Sequence, residues 1–323
     1  MQLRPGFGRR RFRGVRTQPC TDLTAMPRVS IVLPAYFSHG TLAASLAALS
    51  AQSRPADEII VVNSSPDPET APVVAAFPKV RLIQSPHRLL PHAARNRGFA
   101  EAIGEVLVCS DPDCVAAPDW LQALVAVLEK GHPLVGGSMG LRPPRGPGSR
   151  LQEAIHLAKF WWILPGLPAG PVWIVPTANC AFTRRLWEQV GPFPDDVFCG
   201  DALFSWRASR AGSVPWFAPE AIVAHEHDET AAMMRRQRWR RGQEFGRERA
   251  RWEGWNAGTR WTHALASPLR CLRVLHRARN AAMTAGWGES FRRTTALHAG
   301  FQAAWVAGEA RAWMQRPAGS GAA

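Results

Sequence analysis

The chain has 323 residues, 46% of them hydrophobic and 20% charged, which is enough apolar matter for a substantial core and excludes a disordered polymer. Its formal net charge of +14 suggests a nucleic-acid partner only until it is divided along the chain: residues 29–230 carry 15 basic and 19 acidic side chains and stand at −4, residues 1–28 contribute +6 and residues 231–323 contribute +12. The excess lies in the two ends, so the central region is no platform for a polyanion.

Residues 1–28 read as a basic, disordered tail. Its Arg9-Arg10-Arg11-Phe12 resembles the core of a twin-arginine export signal, but residues 15–27 are polar where export needs an apolar stretch, and Met26 offers an alternative start. From Val29 the pattern changes. Val29 to Tyr36 is an apolar strand ended by Pro34, and residues 41–52 have helical spacing. Glu58 to Asn63 is a second strand, residues 64–67 a polar turn, Val80 to Ile83 a third strand, residues 92–103 a helix and Val106 to Ser110 a fourth strand. Strands alternating with helices argue for a parallel sheet wrapped by helices, with ligands at the carboxyl ends of the strands, where Tyr36, Asn63 and Asp111 fall.

The fourth strand leads into Asp111-Pro112-Asp113. Strand alternation turns residues i and i+2 to one side, so both carboxylates can converge on a hard cation that takes oxygen ligands and bridges to a diphosphate. Solvated turn acids are the blander account of such a pair.

Taken in order, Val29-Ser30-Ile31-Val32-Leu33-Pro34-Ala35-Tyr36, Asp57 to Val62, Ala94-Arg95-Asn96-Arg97-Gly98, Ser110 to Asp113, Pro176 to Phe182, Gly191-Pro192-Phe193, Gly200-Asp201-Ala202-Leu203 and Pro219 to His225 resemble the family 2 glycosyltransferases, whose fold is the GT-A type. The resemblance implies a Rossmann-like mixed α/β sheet over residues 29–230, with a nucleotide half (29–113) and an acceptor half (114–230), followed by a basic helical extension (231–323). It implies a nucleotide-diphosphate sugar as donor, a saccharide or lipid-linked hydroxyl as acceptor, inversion at the anomeric carbon, and manganese or magnesium as the cation. Carried over residue by residue, Pro34, Ala35, Tyr36, Asn63, Arg95, Asn96 and Asp111 fall at the nucleotide. Asp113 with Asp111 holds the metal, His225 supplies a further ligand with His227 as its substitute, and Asp201 is the general base. For His225 a structural, hydrogen-bonded role is the competing account, for Arg95 a solvated helix charge, and for Asp201 a helix N-cap.

Two departures from the family pattern stand out. Gly200 occupies the place where the family usually has Glu, and Asn63-Ser64-Ser65 follows the second strand where the family has one or two acids. Both leave open a catalytically impaired scaffold as the alternative function.

Four prolines between Phe160 and Thr183 rule out a membrane span there, and the stretch reads as a loop and edge strand over the acceptor site. Trp161, Trp162 and Trp173 then stack on a sugar face, touch lipid or pack in the core. Beyond residue 230, Arg and Trp alternate and Leu269, Leu272 and Leu275 recur at helical spacing, which suits either the surface of an anionic membrane or a helical cap with a solvated basic face. Gln237-Arg238-Trp239 only partly matches the Gln-X-X-Arg-Trp signature of processive synthases, which favours single transfers. The six cysteines include no CxxC pair, so a reducing cytoplasm is the natural compartment, and the basic C-terminal helices would allow attachment to the inner membrane face.

Overall fold

The computed structural model describes residues 26–142 and 150–315. The export-like core of the tail and Cys20 lie outside the described residues. The strands are β1 (Val29–Ala35), β2 (Glu58–Asn63), β3 (Val80–Gln84), β4 (Val106–Ser110), β5 (Cys114–Ala116), β6 (Leu134–Leu141), β7 (Gly170–Pro171), β8 (Asn179–Thr183) and β9 (Trp216–His225). Between them run α1 (His39–Ser50), α2 (Thr70–Ala75), α3 (Pro91–Glu101), α4 (Trp120–Glu129), α5 (Arg150–Phe160), α6 (Arg184–Val190) and α7 (Gly200–Arg210). Four helices follow: α8 (Ala231–Trp252), α9 (Ala257–Leu265), α10 (Ser267–Thr284) and α11 (Gly288–Met314).

These strands form one mixed sheet in the order β3-β2-β1-β4-β8-β6-β9-β5, with β7 paired to β9. β1 to β4 are mutually parallel, β8 runs antiparallel between β4 and β6, and β6 is parallel to β9. The nearly unbroken apolar runs of β1, β2 and β4 follow from burial on both faces. Alternation divides them cleanly: Ile31, Leu33, Val61 and Val108 join one core with α1 and α4, while Val32, Val62 and Leu107 join another with α3 and α7.

Several expectations need correction. β1 runs through Pro34 to Ala35 rather than ending at the proline, since its pairing with β4 stops at Val32 and only β2 accompanies the last residues. β8, expected at the edge, is a central strand buried along its length. Its apolar sequence was the available sign of that place. Trp162 and Trp173 pack around a core containing Trp206 and Phe245, with Trp173 and Trp206 stacked at 6.2 Å, and Trp161 packs against the larger core, all three being partly buried.

The C-terminal helices α10 and α11 are continuous with the core of the sheet. Ala278, Ala281 and Ala282 of α10 and Phe291 of α11 belong to the same apolar cluster as β1 and β4. α8 and α11 cross closely at Gly242 and Gly308, where an added Cβ would meet the carbonyl oxygens of Trp305 and Trp239 at 2.4 and 2.3 Å. Glu309, 1% exposed, accepts from Arg270 Nη2 through both carboxylate oxygens, at 2.9 and 3.2 Å. No helix among the described residues is long and apolar enough to cross a membrane.

Candidate active site

The carboxyl ends of β1 to β4 open on one side of the sheet, and the acids sit there. Asp111 and Asp113 occupy the turn between β4 and β5, which the Cys114 N–H closes by donating to the Asp111 carbonyl at 3.1 Å. The pair is thus set by a turn and not by strand alternation as the sequence had suggested. Ser45 of α1 donates to the Asp111 carbonyl at 3.2 Å and fixes the turn from below.

Arg95, on α3 and 2% exposed, pairs with the Asp111 carboxylate and donates to the Thr177 carbonyl at 3.4 Å. It is no solvated helix charge. Burial alone would weaken its charge, but Asp111 foremost and Asp201 further off outweigh that effect and hold its pKa up. Burial raises the pKa of Asp111, against the pull of Arg95 and with the push of Asp113. Burial likewise raises Asp113, with Lys159 drawing it down.

β9 ends on His225, whose Nε2 lies 3.6 Å from Asp113 Oδ2 and whose Nδ1 is buried without a hydrogen-bond partner. Ligand atoms of Asp113, Cys114 and His225 all lie within 4.8 Å of one another. Burial holds the Cys114 thiol well above its ordinary pKa, so it stays protonated and soft, whereas a carboxylate and a neutral imidazole suit manganese or magnesium. His225 is neutral at ordinary pH because burial, helped by Lys159, lowers its pKa to about 4. His227 is engaged elsewhere: its Nε2 meets His156 Nδ1 at 3.2 Å, and its Nδ1 faces Glu229 at 3.6 Å.

Asp201 lies in the first turn of α7, and burial raises its pKa to about 6, with the Ala202 N–H at 2.8 Å, Arg95 and Arg241 pulling the other way. It is not the N-cap. The orphan N–H groups ahead of α7, those of Phe198 and Cys199, donate instead to Glu244 of α8 at 2.7 and 2.9 Å. A cap delivered from a helix 45 residues away has no local sequence signature.

The Gly200 departure has a spatial partner. A Cβ at Gly200 would stand 2.7 Å from the His92 ring and 2.8 Å from the Pro194 carbonyl. His92 stacks on Phe193 at 5.3 Å and meets the Phe198 carbonyl at 3.2 Å, and burial, then Arg95, lowers its pKa to about 3. A neutral ring on α3 therefore occupies the room a side chain at position 200 would need.

Two amides expected at the nucleotide have internal work. Asn63 donates to Gln84 at 3.0 Å and accepts from the Ser65 N–H and hydroxyl at 3.2 and 2.8 Å. Asn96 donates to the Phe193 carbonyl at 2.7 Å and accepts from the Phe193 N–H at 3.0 Å, which fastens α3 to the approach of α7. Asp67, the nearest acid after β2, is turned into its own loop, where Ser65 above all and then Thr70 hydrogen-bond it and lower its pKa. Beside this loop a cavity of about 460 Å³ is lined by Tyr36, Ser64, Ser65, Gln84, Ser85 and Arg88. Arg88 lies 4.7 Å over the Tyr36 ring. Gln84 ends β3, so the strand-end rule that selected Asn63 would have found it; Arg88, Lys159, Arg241 and Glu244 carried no comparable signal. Pro34 and Ala35 shape the end of β1, with Ala35 buried and its carbonyl accepting from Ser64 at 3.0 Å.

A family model described as Glycosyl transferase family 2 matches residues 30–189. The chain belongs to the family 2 glycosyltransferases. Among similar proteins, this glycosyltransferase is 24% identical over 220 residues to the glycosyltransferase AglE of Haloferax volcanii, covering 62% of this chain and 68% of that one. It is 30% identical over 181 residues to the pre-mycofactocin glycosyltransferase of Mycobacterium tuberculosis, covering 52% of this chain and 37% of that one. The chain thus spans about two thirds of the first relative and little more than a third of the second. In three dimensions it is similar to the mannosyltransferase PcManGT from Pyrobaculum calidifontis, solved with GDP-Man and Mn2+, at a TM-score of 0.59 and 22% identity over 88% of both chains. The fold of the glycosyltransferase is the GT-A type.

Proposed function

We propose that this glycosyltransferase moves a single sugar from a nucleotide-diphosphate sugar to a hydroxyl of a saccharide or lipid-linked acceptor, with inversion. The observation that carries the reading is Asp201, a carboxylate whose pKa burial raises to about 6, set in the first turn of α7 within electrostatic reach of Arg95 and Asp111. Above that pH it is ionised and basic enough to take the proton of an attacking hydroxyl, which an ordinary aspartate does less well. Inversion needs one such base and no second carboxylate nucleophile.

Asp113 and His225 would hold manganese or magnesium, with Asp111 beside them. When bound, such a cation neutralises charge on the departing diphosphate. The solved complex of PcManGT contains GDP-Man and Mn2+, which supports both donor class and metal. Arg95 fixes Asp111 through one carboxylate oxygen and leaves the other for ribose or metal. The cavity beside Tyr36 and Arg88 takes the nucleobase. Asn63 and Asn96 act by holding the loop and α7 in place, not by touching the nucleotide.

The scaffold alternative rested on Gly200 and Asn63. Both departures come with local replacements, the His92 ring and the Asn63–Gln84–Ser65 hydrogen bonds, and Asp201 itself is present. Single transfer is favoured by Arg238, which donates to Gln302 at 2.9 Å and lies 4.2 Å over Trp305, so it faces α11. The experiment is release of nucleoside diphosphate from a panel of nucleotide sugars with and without manganese. The expected result is metal-dependent release that Asp201→Asn removes while donor binding persists; release unaffected by that substitution refutes the assignment.

A further inference from the structure

The last apolar surface in the chain is on the outside. In α9 and α10, Trp261, Leu265, Leu269 and Leu272 are 50%, 75%, 49% and 64% exposed, and Met283 is 51% exposed. The spacing of i, i+4, i+8 and i+11 places a stripe along two helices separated only by Ala266. In α10 the opposite face carries Ala278, Ala281 and Ala282 into the core, so the helix has an inner seam of alanines and an outer row of leucines. Water-facing leucine and inward alanine reverse the usual amphipathic order.

Charge decides what covers the stripe. Residues 257–284 contain Arg260, Arg270, Arg273, Arg277 and Arg279 and no acidic residue. Arg270 is drawn inward to Glu309, but Arg273 and Arg279 are exposed and make no ion pair among the described residues. A second copy of the chain would set these arginines against each other. A nucleic acid would satisfy the arginines and leave the leucines in water. A bilayer surface with anionic headgroups satisfies both, because guanidinium groups meet phosphate while Trp and Leu enter the acyl boundary.

We propose that α9 and α10 form a docking surface for an anionic lipid bilayer, with Trp261, Leu265, Leu269 and Leu272 inserted and Arg273 and Arg279 at the headgroups. The enzyme is thereby peripheral, which is the situation a lipid-linked acceptor requires. Vesicle binding is measured without donor or acceptor, so its outcome is separate from that of the transfer reaction.

The test is flotation of the full chain with phosphatidylcholine vesicles and with vesicles containing phosphatidylglycerol, at low and high salt. Binding is expected to the anionic vesicles only, weakening as salt rises. Leu265→Asp with Leu272→Asp should weaken it by at least about tenfold, and Arg273→Glu with Arg279→Glu should do the same, with thermal midpoints unchanged because all four side chains are exposed. Absence of wild-type flotation at low salt overturns the proposal. So does flotation of the double-aspartate variant equal to wild type, or a wild-type dimer in solution that the leucine substitutions convert to monomer.

Discussion

The region at the carboxyl ends of the strands and the C-terminal helices both bury charged side chains, but in opposite settings. At the end of β4, Asp111 and Asp113 sit with Arg95, Asp201 on α7 lies within electrostatic reach of Arg95 and Asp111, and burial raises all three carboxyl pKa values. Between α8, α10 and α11, Glu309 is buried against Arg270, whose guanidinium lies over Trp313, and Arg238 lies over Trp305. Like charges held near one another are costly unless something binds them, whereas a matched pair is complete in itself. The first region is arranged for a ligand, the second for packing.

Substitution should therefore act on chemistry in one region and on stability in the other. Asp201→Asn is expected to lower kcat by about 10²–10⁴-fold, the range of a lost general base, with the donor-induced thermal shift retained. A loss of donor binding alongside kcat would move Asp201 from the acceptor to the nucleotide. Because its folded pKa lies above the unfolded value, Asp201 contributes stability below pH 4 that is lost as pH rises through about 6. The same Asn variant should thus be more stable than wild type at pH 7.5, by up to about 3 kcal/mol in urea denaturation.

Glu309→Leu leaves the inward Arg270 without its partner and should cost roughly 3 kcal/mol of stability, while activity per folded molecule stays near wild type. Asp113→Ala and His225→Ala should each abolish the manganese-induced stabilisation, which for wild type at a hundredfold excess over Kd is about 2.7 kcal/mol; a manganese shift that survives both substitutions would place the cation elsewhere. Gly200→Glu should destabilise by about 1–3 kcal/mol through overpacking against His92 and the Pro194 carbonyl, and adding His92→Ala should restore only the part due to the ring. The smallest effect is the pH profile: kcat/KM should rise tenfold per unit up to about pH 6 and level off above, the direction expected for a base that must be ionised.

Much of the region from β1 to β4 was legible because its code is local. Apolar runs bounded by polar turns placed β1, β2, β3 and β4 to within a residue or two, and the strand-end rule pointed to Tyr36 and Asp111. Asn63 ends β2 and Asn96 lies on α3, but an amide offers a donor and an acceptor to any neighbour, and only the folded chain shows that Gln84, Ser65 and Phe193 take them. Phe160 to Thr183 misled because proline and tryptophan are as common in an irregular core connection as in a surface loop.

The sequence by itself determined the alternation of strand and helix, the two-faced burial of the parallel strands, the order of the acids and the concentration of positive charge at the ends. These depend on neighbours a few residues apart, where periodicity and turn chemistry act. Tertiary structure alone decided that Glu244 caps α7, that His92 fills the room beside Gly200, that burial makes Asp201 a weak acid, and that Leu265 and Leu272 face outward while alanines face in. Those outcomes turn on which distant surface comes to lie against a residue, and burial, electrostatic environment and exposure are properties of that meeting and not of the residue.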